Sequence, residues 1–133
     1  MLACIDSSVF LSRYLFEPRS DEANILVAEA SGIVACRLLH IEVARGLSFI
    51  EGPIERATAQ MRFADDWRQL IILELDEQMA DLASTIAAST GVRTLDSLHI
   101  ATAILATADA FITFDRRQAA AARTFDLNVI GTS

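Results

Sequence analysis

The sequence predicts one α/β domain in which helices cover both faces of a parallel β-sheet. Short apolar runs alternate along the chain with longer segments of helical spacing. Strands that are apolar throughout, rather than at every second residue, are typical of a sheet buried on both faces. The chain has 133 residues, 53% of them hydrophobic, which suits one compact domain with one sizeable core. We therefore expect a single three-layer α/β/α domain over residues 1–133.

Five segments have the character of buried strands. Apolar residues dominate each of them, and each is short enough to be a strand rather than a buried helix. In chain order, the predicted strands cover residues 2–5, 33–36, 71–75, 110–114 and 127–130.

The segments between the strands have helical spacing and recognisable ends. Ser7 or Ser8 can cap the first helix, and Pro18 stops it. Pro53 suits the first turn of a helix, and Gly91 ends a later one. In chain order, the predicted helices cover residues 7–16, 21–30, 39–49, 54–70, 76–90, 95–108 and 116–125.

The charged residues exclude several classes of site. Acids outnumber bases by 18 to 11, which gives a formal net charge of −7, and on its face this charge argues against a nucleic-acid partner. The bases are all arginine. The absence of lysine from the sequence excludes a P-loop and a Schiff-base mechanism. The five glycines form no dinucleotide-binding fingerprint.

The cysteines and the apolar runs indicate the cellular setting. Cys4 and Cys36 are the two cysteines, and each lies in an apolar run, which predicts buried, reduced thiols rather than a zinc site. The N-terminal residues do not have the pattern of a signal peptide. The apolar runs are all shorter than the ~18 residues that a membrane-spanning helix needs. We therefore expect a cytoplasmic protein.

Four acidic residues lie where a ligand site is expected. In open α/β sheets, ligands bind outside the carboxyl ends of the strands. Asp6 and Asp115 directly follow the first and fourth predicted strands, whereas Glu42 and Asp96 interrupt apolar stretches early in two helices. Converging carboxylates repel one another, and a hard divalent cation resolves that conflict. The pattern predicts a Mg²⁺ site, with Mn²⁺ as the alternative.

Each acid also has a structural interpretation that the sequence leaves open. Asp6 and Asp115 can cap the helices that follow them. Asp96 can be a first-turn residue that the helix dipole favours. Glu42 can form a surface ion pair with a nearby arginine. The arginines within reach of Glu42 are Arg37 and Arg45.

Four segments together resemble a known family over essentially the whole chain. The first is Asp6-Ser7-Ser8 after the first strand, and the second is the run 40–47 around Glu42. The third is the run 95–103, in which Asp96 opens an alanine-rich helix, and the fourth is the run 110–115, which ends in Thr-Phe-Asp. In this order and spacing they resemble the PIN domain, specifically the VapC-type toxin ribonucleases of bacterial toxin–antitoxin pairs. Gln118 departs from the aromatic residue that many relatives carry at its position.

The resemblance implies a fold and a site. The family's sheet has five parallel strands in the order 3-2-1-4-5. Asp6, Glu42, Asp96 and Asp115 would be the catalytic, metal-binding quartet. Ser7 and Thr113 would support it through hydrogen bonds. The family also implies an RNA substrate, a cognate antitoxin protein and a homodimer.

The expected activity is metal-assisted hydrolysis of RNA phosphodiester bonds, in which a bound cation activates a water. A non-catalytic PIN-like binding or scaffold protein is the alternative. Three arginines near the acids could contact RNA phosphates or could simply face solvent: Arg45, Arg116 and Arg117. His99, three residues after Asp96, is interpreted as a packed or surface histidine more readily than as a metal ligand.

Overall fold

A computed structural model describes residues 1–132, and the predicted elements occur in the predicted order. The strands are β1 (Leu2–Ile5), β2 (Gly32–Cys36), β3 (Ile71–Leu73), β4 (Ala110–Ile112) and β5 (Val129–Ile130). The helices are α1 (Ser7–Tyr14), α2 (Ser20–Glu29), α3 (Leu39–Ser48), α4 (Pro53–Arg68), α5 (Glu77–Thr90), α6 (Thr94–Leu105) and α7 (Arg116–Thr124).

The strands form one parallel sheet with β1 at its centre. The order is β3-β2-β1-β4-β5, and every pair of neighbouring strands is parallel. This confirms the predicted fold class and strand order. The chain builds the sheet outward from β1 in one direction and then crosses to β4 on its other side. The crevice at the carboxyl ends of β1 and β4 is therefore the point where ligands bind in open α/β sheets.

Helices cover both faces of the sheet, each over its own apolar cluster. Residues of α1, α2, α3 and α4 pack on one face around Ile5 and Ile112. Residues of α5, α6 and α7 pack on the other face around Cys4 and Phe111. We call α1–α4 the first layer and α5–α7 the second layer. Alternate residues of the central strands are buried in opposite clusters, which explains why the strands are apolar throughout.

Several element boundaries differ from the prediction. β4 ends at Ile112, because Ile112 is the last residue paired with β1, so Thr113 and Phe114 lie beyond the strand. α6 ends at Leu105, and Thr107 turns the chain toward β4 with a φ of 49°. The expectation that Ser7 or Ser8 caps α1 is wrong. The cap is Asp6, whose Oδ1 accepts a hydrogen bond from the backbone N–H of Val9 at 3.4 Å.

Two further expectations concern the cysteines and the helices. Cys4 and Cys36 are buried free thiols, as predicted. Among residues 1–132, the helices all lack the combination of length and apolar character that crossing a membrane requires.

Candidate active site

Asp6 directly follows β1, the central strand of the sheet, and caps α1. Its side chain is 2% exposed. Oδ1 accepts hydrogen bonds from the Ser8 hydroxyl at 2.6 Å and from the Val9 N–H, and Oδ2 accepts one from the Thr113 hydroxyl at 2.7 Å. Burial raises the pKa of Asp6, and these hydrogen bonds together with the charge of His99 oppose that rise only in part. Asp6 is therefore both a helix cap and a buried carboxyl group.

The other three predicted acids line one cavity at this edge of the sheet. Glu42 comes from α3, Asp96 from the first turn of α6, and Asp115 directly precedes α7. The cavity has a volume of about 630 Å³. The fold thus brings together carboxyl groups that are far apart in the sequence.

The neighbouring acids contribute to a raised pKa of Asp96. Burial raises the pKa of Asp96 most, and the negative charges of Asp115 and Glu42 raise it further. The positive charges of His99 and Arg93 lower it, but the net shift is upward. Raised carboxyl pKa values in a cleft are typical of functional sites.

Asp115 caps a helix, as Asp6 does, and it also lines the cavity. Its Oδ1 accepts a hydrogen bond from the Gln118 N–H at 2.9 Å and caps α7. Its backbone N–H donates to the Thr113 hydroxyl oxygen at 3.0 Å. The Gln118 side chain in turn donates to the carbonyl oxygen of Asp96 at 3.2 Å. The capping interpretation of Asp115 is therefore compatible with a place in the site.

Glu42 makes hydrogen bonds within the site rather than a surface ion pair. Its Oε2 accepts from the Ser7 hydroxyl at 3.2 Å, and its Oε1 lies 2.5 Å from Nε2 of His99. The two arginines that could have paired with it lie elsewhere. Arg37 pairs with Glu74, and Arg45 stacks on the ring of Phe49. The surface-pair interpretation of Glu42 is wrong.

The sequence predicted a packed or surface position for His99 but not its contact with the acids. His99 is 1% exposed and lies among the acids rather than at the surface. Burial lowers its pKa, but the hydrogen bond with Glu42 and the charges of Glu42, Asp6 and Asp96 outweigh burial, so the pKa is raised. The available signal was the spacing of three residues from Asp96 on one helix. The partner on α3 could not be read from that spacing.

The predicted phosphate-binding arginines occupy different places. Arg117 lines the cavity beside the acids, together with Arg93, which lies in none of the four motifs. Arg116 is the exposed first residue of α7, and Arg45 is exposed on α3. The cavity itself therefore carries two guanidinium groups.

The donor atoms that line the cavity are mainly carboxylate oxygens. Among residues 1–132, His, Cys, Asp and Glu side chains form no cluster of three or more with the geometry to hold a metal ion as they stand. The cavity is nevertheless lined by three carboxylates, and oxygen ligands are what Mg²⁺ and Mn²⁺ prefer. A cation would also neutralise the mutual repulsion that raises the pKa of Asp96. The residues fit such an ion chemically.

Comparisons with known proteins identify the family. The family model for the PIN domain matches residues 3–124. Among solved structures, FitAcB from Neisseria gonorrhoeae is 17% identical, with a TM-score of 0.76 and 96% of each chain covered. VapC20 from Mycobacterium tuberculosis, a sarcin-ricin loop cleaving toxin, is 14% identical, with a TM-score of 0.73 over 90% of this chain and 94% of that one.

A third structure has the same fold. VapBC2 from Rickettsia felis, bound to a DNA fragment from its promoter, is 16% identical with a TM-score of 0.72, and the match covers 100% of this chain and 99% of that one. No curated protein sequence matches the chain. The family model covers most of the chain, and the sheet has the strand order that the resemblance implied. The chain is a member of the PIN domain family.

Proposed function

We propose that this protein is a divalent-metal-dependent endoribonuclease that hydrolyses phosphodiester bonds of RNA. The observation that carries the proposal is the convergence of Glu42, Asp96 and Asp115 on one cavity, with the Thr113 hydroxyl joining Asp115 to the buried Asp6. This cavity lies at the carboxyl edge of a sheet that belongs to the PIN family. Carboxylates in this arrangement are suited to metal-assisted phosphodiester hydrolysis.

The four acids would hold the cation, Mg²⁺ or alternatively Mn²⁺. When bound, the cation supplies a Lewis acid and lowers the pKa of a bound water. Thr113 keeps Asp6 in place by donating to Oδ2, and Ser7 orients Glu42 by donating to Oε2. These two hydroxyl groups have a supporting role.

The substrate phosphate would meet guanidinium groups as well as the cation. Arg117 lines the cavity, and arginine binds phosphate oxygens in a bidentate manner. Arg45 and Arg116 are exposed on α3 and α7 and would contact phosphates farther along the RNA. The net charge of −7 does not oppose RNA binding here, because a divalent cation reverses the sign of the local charge.

We also propose that the chain is the toxin of a toxin–antitoxin pair. A chain of a toxin–antitoxin complex from Klebsiella pneumoniae has a similar fold. It is 16% identical, with a TM-score of 0.67, and the match covers 85% of this chain and 86% of that chain. The toxin VapC20 supports the same assignment. On this proposal, residues 1–133 act as one domain in the cytoplasm, form a homodimer and bind a cognate antitoxin.

A cleavage assay with matched acid variants tests the nuclease proposal. The purified chain is incubated with single-stranded RNA in Mg²⁺ and in EDTA. We expect cleavage only with Mg²⁺, and we expect Asp96→Asn to abolish it. Asp65→Asn is the control, because Asp65 lies on α4 in an exposed pair with Arg68. Cleavage that survives EDTA or Asp96→Asn contradicts the proposal, and RNA binding without cleavage favours the non-catalytic alternative.

Expression in a bacterial host tests the toxin proposal separately. We expect induction of the wild-type chain to arrest growth and induction of Asp96→Asn to leave growth unaffected. Sequencing of RNA ends after induction identifies the RNA that is cut. Normal growth with abundant wild-type protein contradicts the toxin assignment while leaving the nuclease assignment intact.

A further inference from the structure

The acids of the site come from opposite sides of the sheet. Glu42 belongs to α3, which packs on α1 and α4 in the first layer. Asp96 belongs to α6, which packs on α5 and on the central strands in the second layer. The distance between Glu42 and Asp96 is therefore set across the edge of the sheet rather than by packing within one layer.

His99 spans this gap. It lies on α6, one turn after Asp96, and its buried ring reaches across to Glu42 with Nε2 2.5 Å from Oε1. An ionised carboxylate can only accept, so Nε2 carries the donated proton. On the other side of the same carboxylate, Ser7 of α1 donates to Oε2. Glu42 is thus held from the second layer by His99 and from the first layer by Ser7.

These two hydrogen bonds restrict the Glu42 side chain before a cation binds. Glu42 therefore loses less conformational entropy when it binds the cation. Each carboxylate oxygen keeps a further lone pair for a metal while it accepts one hydrogen bond. Groups that orient metal ligands in this way contribute to affinity without touching the metal. We propose that His99 is a positioning residue that ties Glu42 to the helix bearing Asp96, and so sets how tightly the acids bind a divalent cation. This inference rests on the proposed function.

The test compares side chains that differ in reach. Glutamine places an amide N–H close to the position of Nε2 of histidine, whereas the amide of asparagine is one bond shorter. His99→Gln should therefore keep the hydrogen bond to Glu42, and His99→Asn should lose it. His99→Leu removes the donor altogether. His40→Asn is the control, because the other histidine is exposed and packs on Phe63 and Trp67.

The measurement is the dissociation constant for Mn²⁺, determined by calorimetry on the full chain without RNA. We expect His99→Asn and His99→Leu to weaken Mn²⁺ binding by about 10- to 100-fold, as loss of an orienting partner typically does. His99→Gln and His40→Asn should keep the wild-type affinity. Circular dichroism checks that each variant is folded. If the leucine variant does not fold, the comparison of glutamine with asparagine decides the question.

The outcomes separate this inference from the nuclease proposal. Equal Mn²⁺ affinity in the glutamine and asparagine variants overturns the role of His99, even if the wild-type chain cleaves RNA. The predicted order of affinities in a chain that binds Mn²⁺ but cleaves no RNA supports the inference and contradicts the proposed function. A wild-type chain that does not bind Mn²⁺ overturns both.

Discussion

The Thr113 hydroxyl donates a hydrogen bond to Oδ2 of the buried Asp6 at 2.7 Å and joins the ends of two neighbouring strands. Ile5 and Ile112 are the last paired residues of β1 and β4, so Asp6 and Thr113 follow them side by side. The same hydroxyl oxygen accepts the backbone N–H of Asp115. One threonine therefore connects two of the acids at the site.

Replacement of Thr113 by valine should destabilise the fold. The two side chains have nearly the same shape, but valine leaves Oδ2 of Asp6 without its donor in a site that is 2% exposed. A buried acceptor without a partner costs about 1–3 kcal/mol. Urea unfolding of the metal-free chain measures this loss.

The control for this prediction is Thr58→Val. Thr58 is exposed on α4, and its hydroxyl donates within its own helix to the carbonyl of Ile54. We expect a change of at most about 0.5 kcal/mol at this position. Equal losses of stability in the two variants would mean that the hydrogen bond to Asp6 contributes nothing specific.

The sequence predicted the order of elements well because each strand is buried on both faces. A strand such as β1 must be apolar throughout when its alternate residues enter opposite clusters, as Cys4 and Ile5 do. Strand ends were harder to predict, because they depend on pairing partners. Phe114 is apolar and adjoins β4, but the paired segment of β4 has already ended at Ile112.

The sequence predicted that the acids would converge, but it did not predict the contacts they make. Asp6 directly follows an apolar strand, and the end of that strand could be predicted from local sequence. Its place at the carboxyl end of the sheet could therefore be predicted as well. The contact of Glu42 with His99 joins residues 57 apart in sequence and on opposite layers. No local pattern encodes such a contact, so the sequence indicated a metal site or an ion pair with a nearby arginine for Glu42, and not a hydrogen bond with His99.

Tyr14 should resist ionisation in the folded chain. It is the only tyrosine in the sequence. Burial raises its pKa most, and its hydrogen bond to Asp66 and the charge of that residue raise it further. Because the folded-state pKa is above the unfolded value, this stabilising contribution is complete below about pH 10 and declines as the pH rises further.

Absorbance at the tyrosinate band checks the behaviour of Tyr14. The chain in concentrated guanidinium chloride should titrate near the ordinary value of about 10. In the native chain, the tyrosinate signal should appear only at higher pH and together with the loss of circular dichroism. A native chain that titrates like the unfolded chain would contradict the raised pKa.

Arg117 should contribute to RNA binding through its charge. We expect Arg117→Gln to weaken binding at low salt and to reduce the slope of log K against log[salt] by about 0.7, the value for one phosphate contact on a single strand. Fluorescence anisotropy with labelled single-stranded RNA measures the slope, in an Asp96→Asn background that prevents cleavage. Arg68→Gln is the control, because Arg68 is exposed and paired with Asp65 on α4. An identical reduction in both variants would indicate only a general effect of net charge.

Divalent cations should stabilise the folded chain if the acids form a metal site. A ligand that binds only the folded state at 100 times its dissociation constant adds about 2.7 kcal/mol to the free energy of unfolding. We expect Mn²⁺ or Mg²⁺ to raise the Tm of the wild-type chain, and the rise should disappear in Asp96→Asn because that variant removes one of the carboxylates lining the cavity. Asp65→Asn keeps these carboxylates and should retain the rise, whereas excess EDTA should remove the rise from both the wild-type chain and Asp65→Asn. A wild-type Tm that is insensitive to both cations would favour the non-catalytic alternative, since a PIN-like scaffold has no need of a metal-binding site.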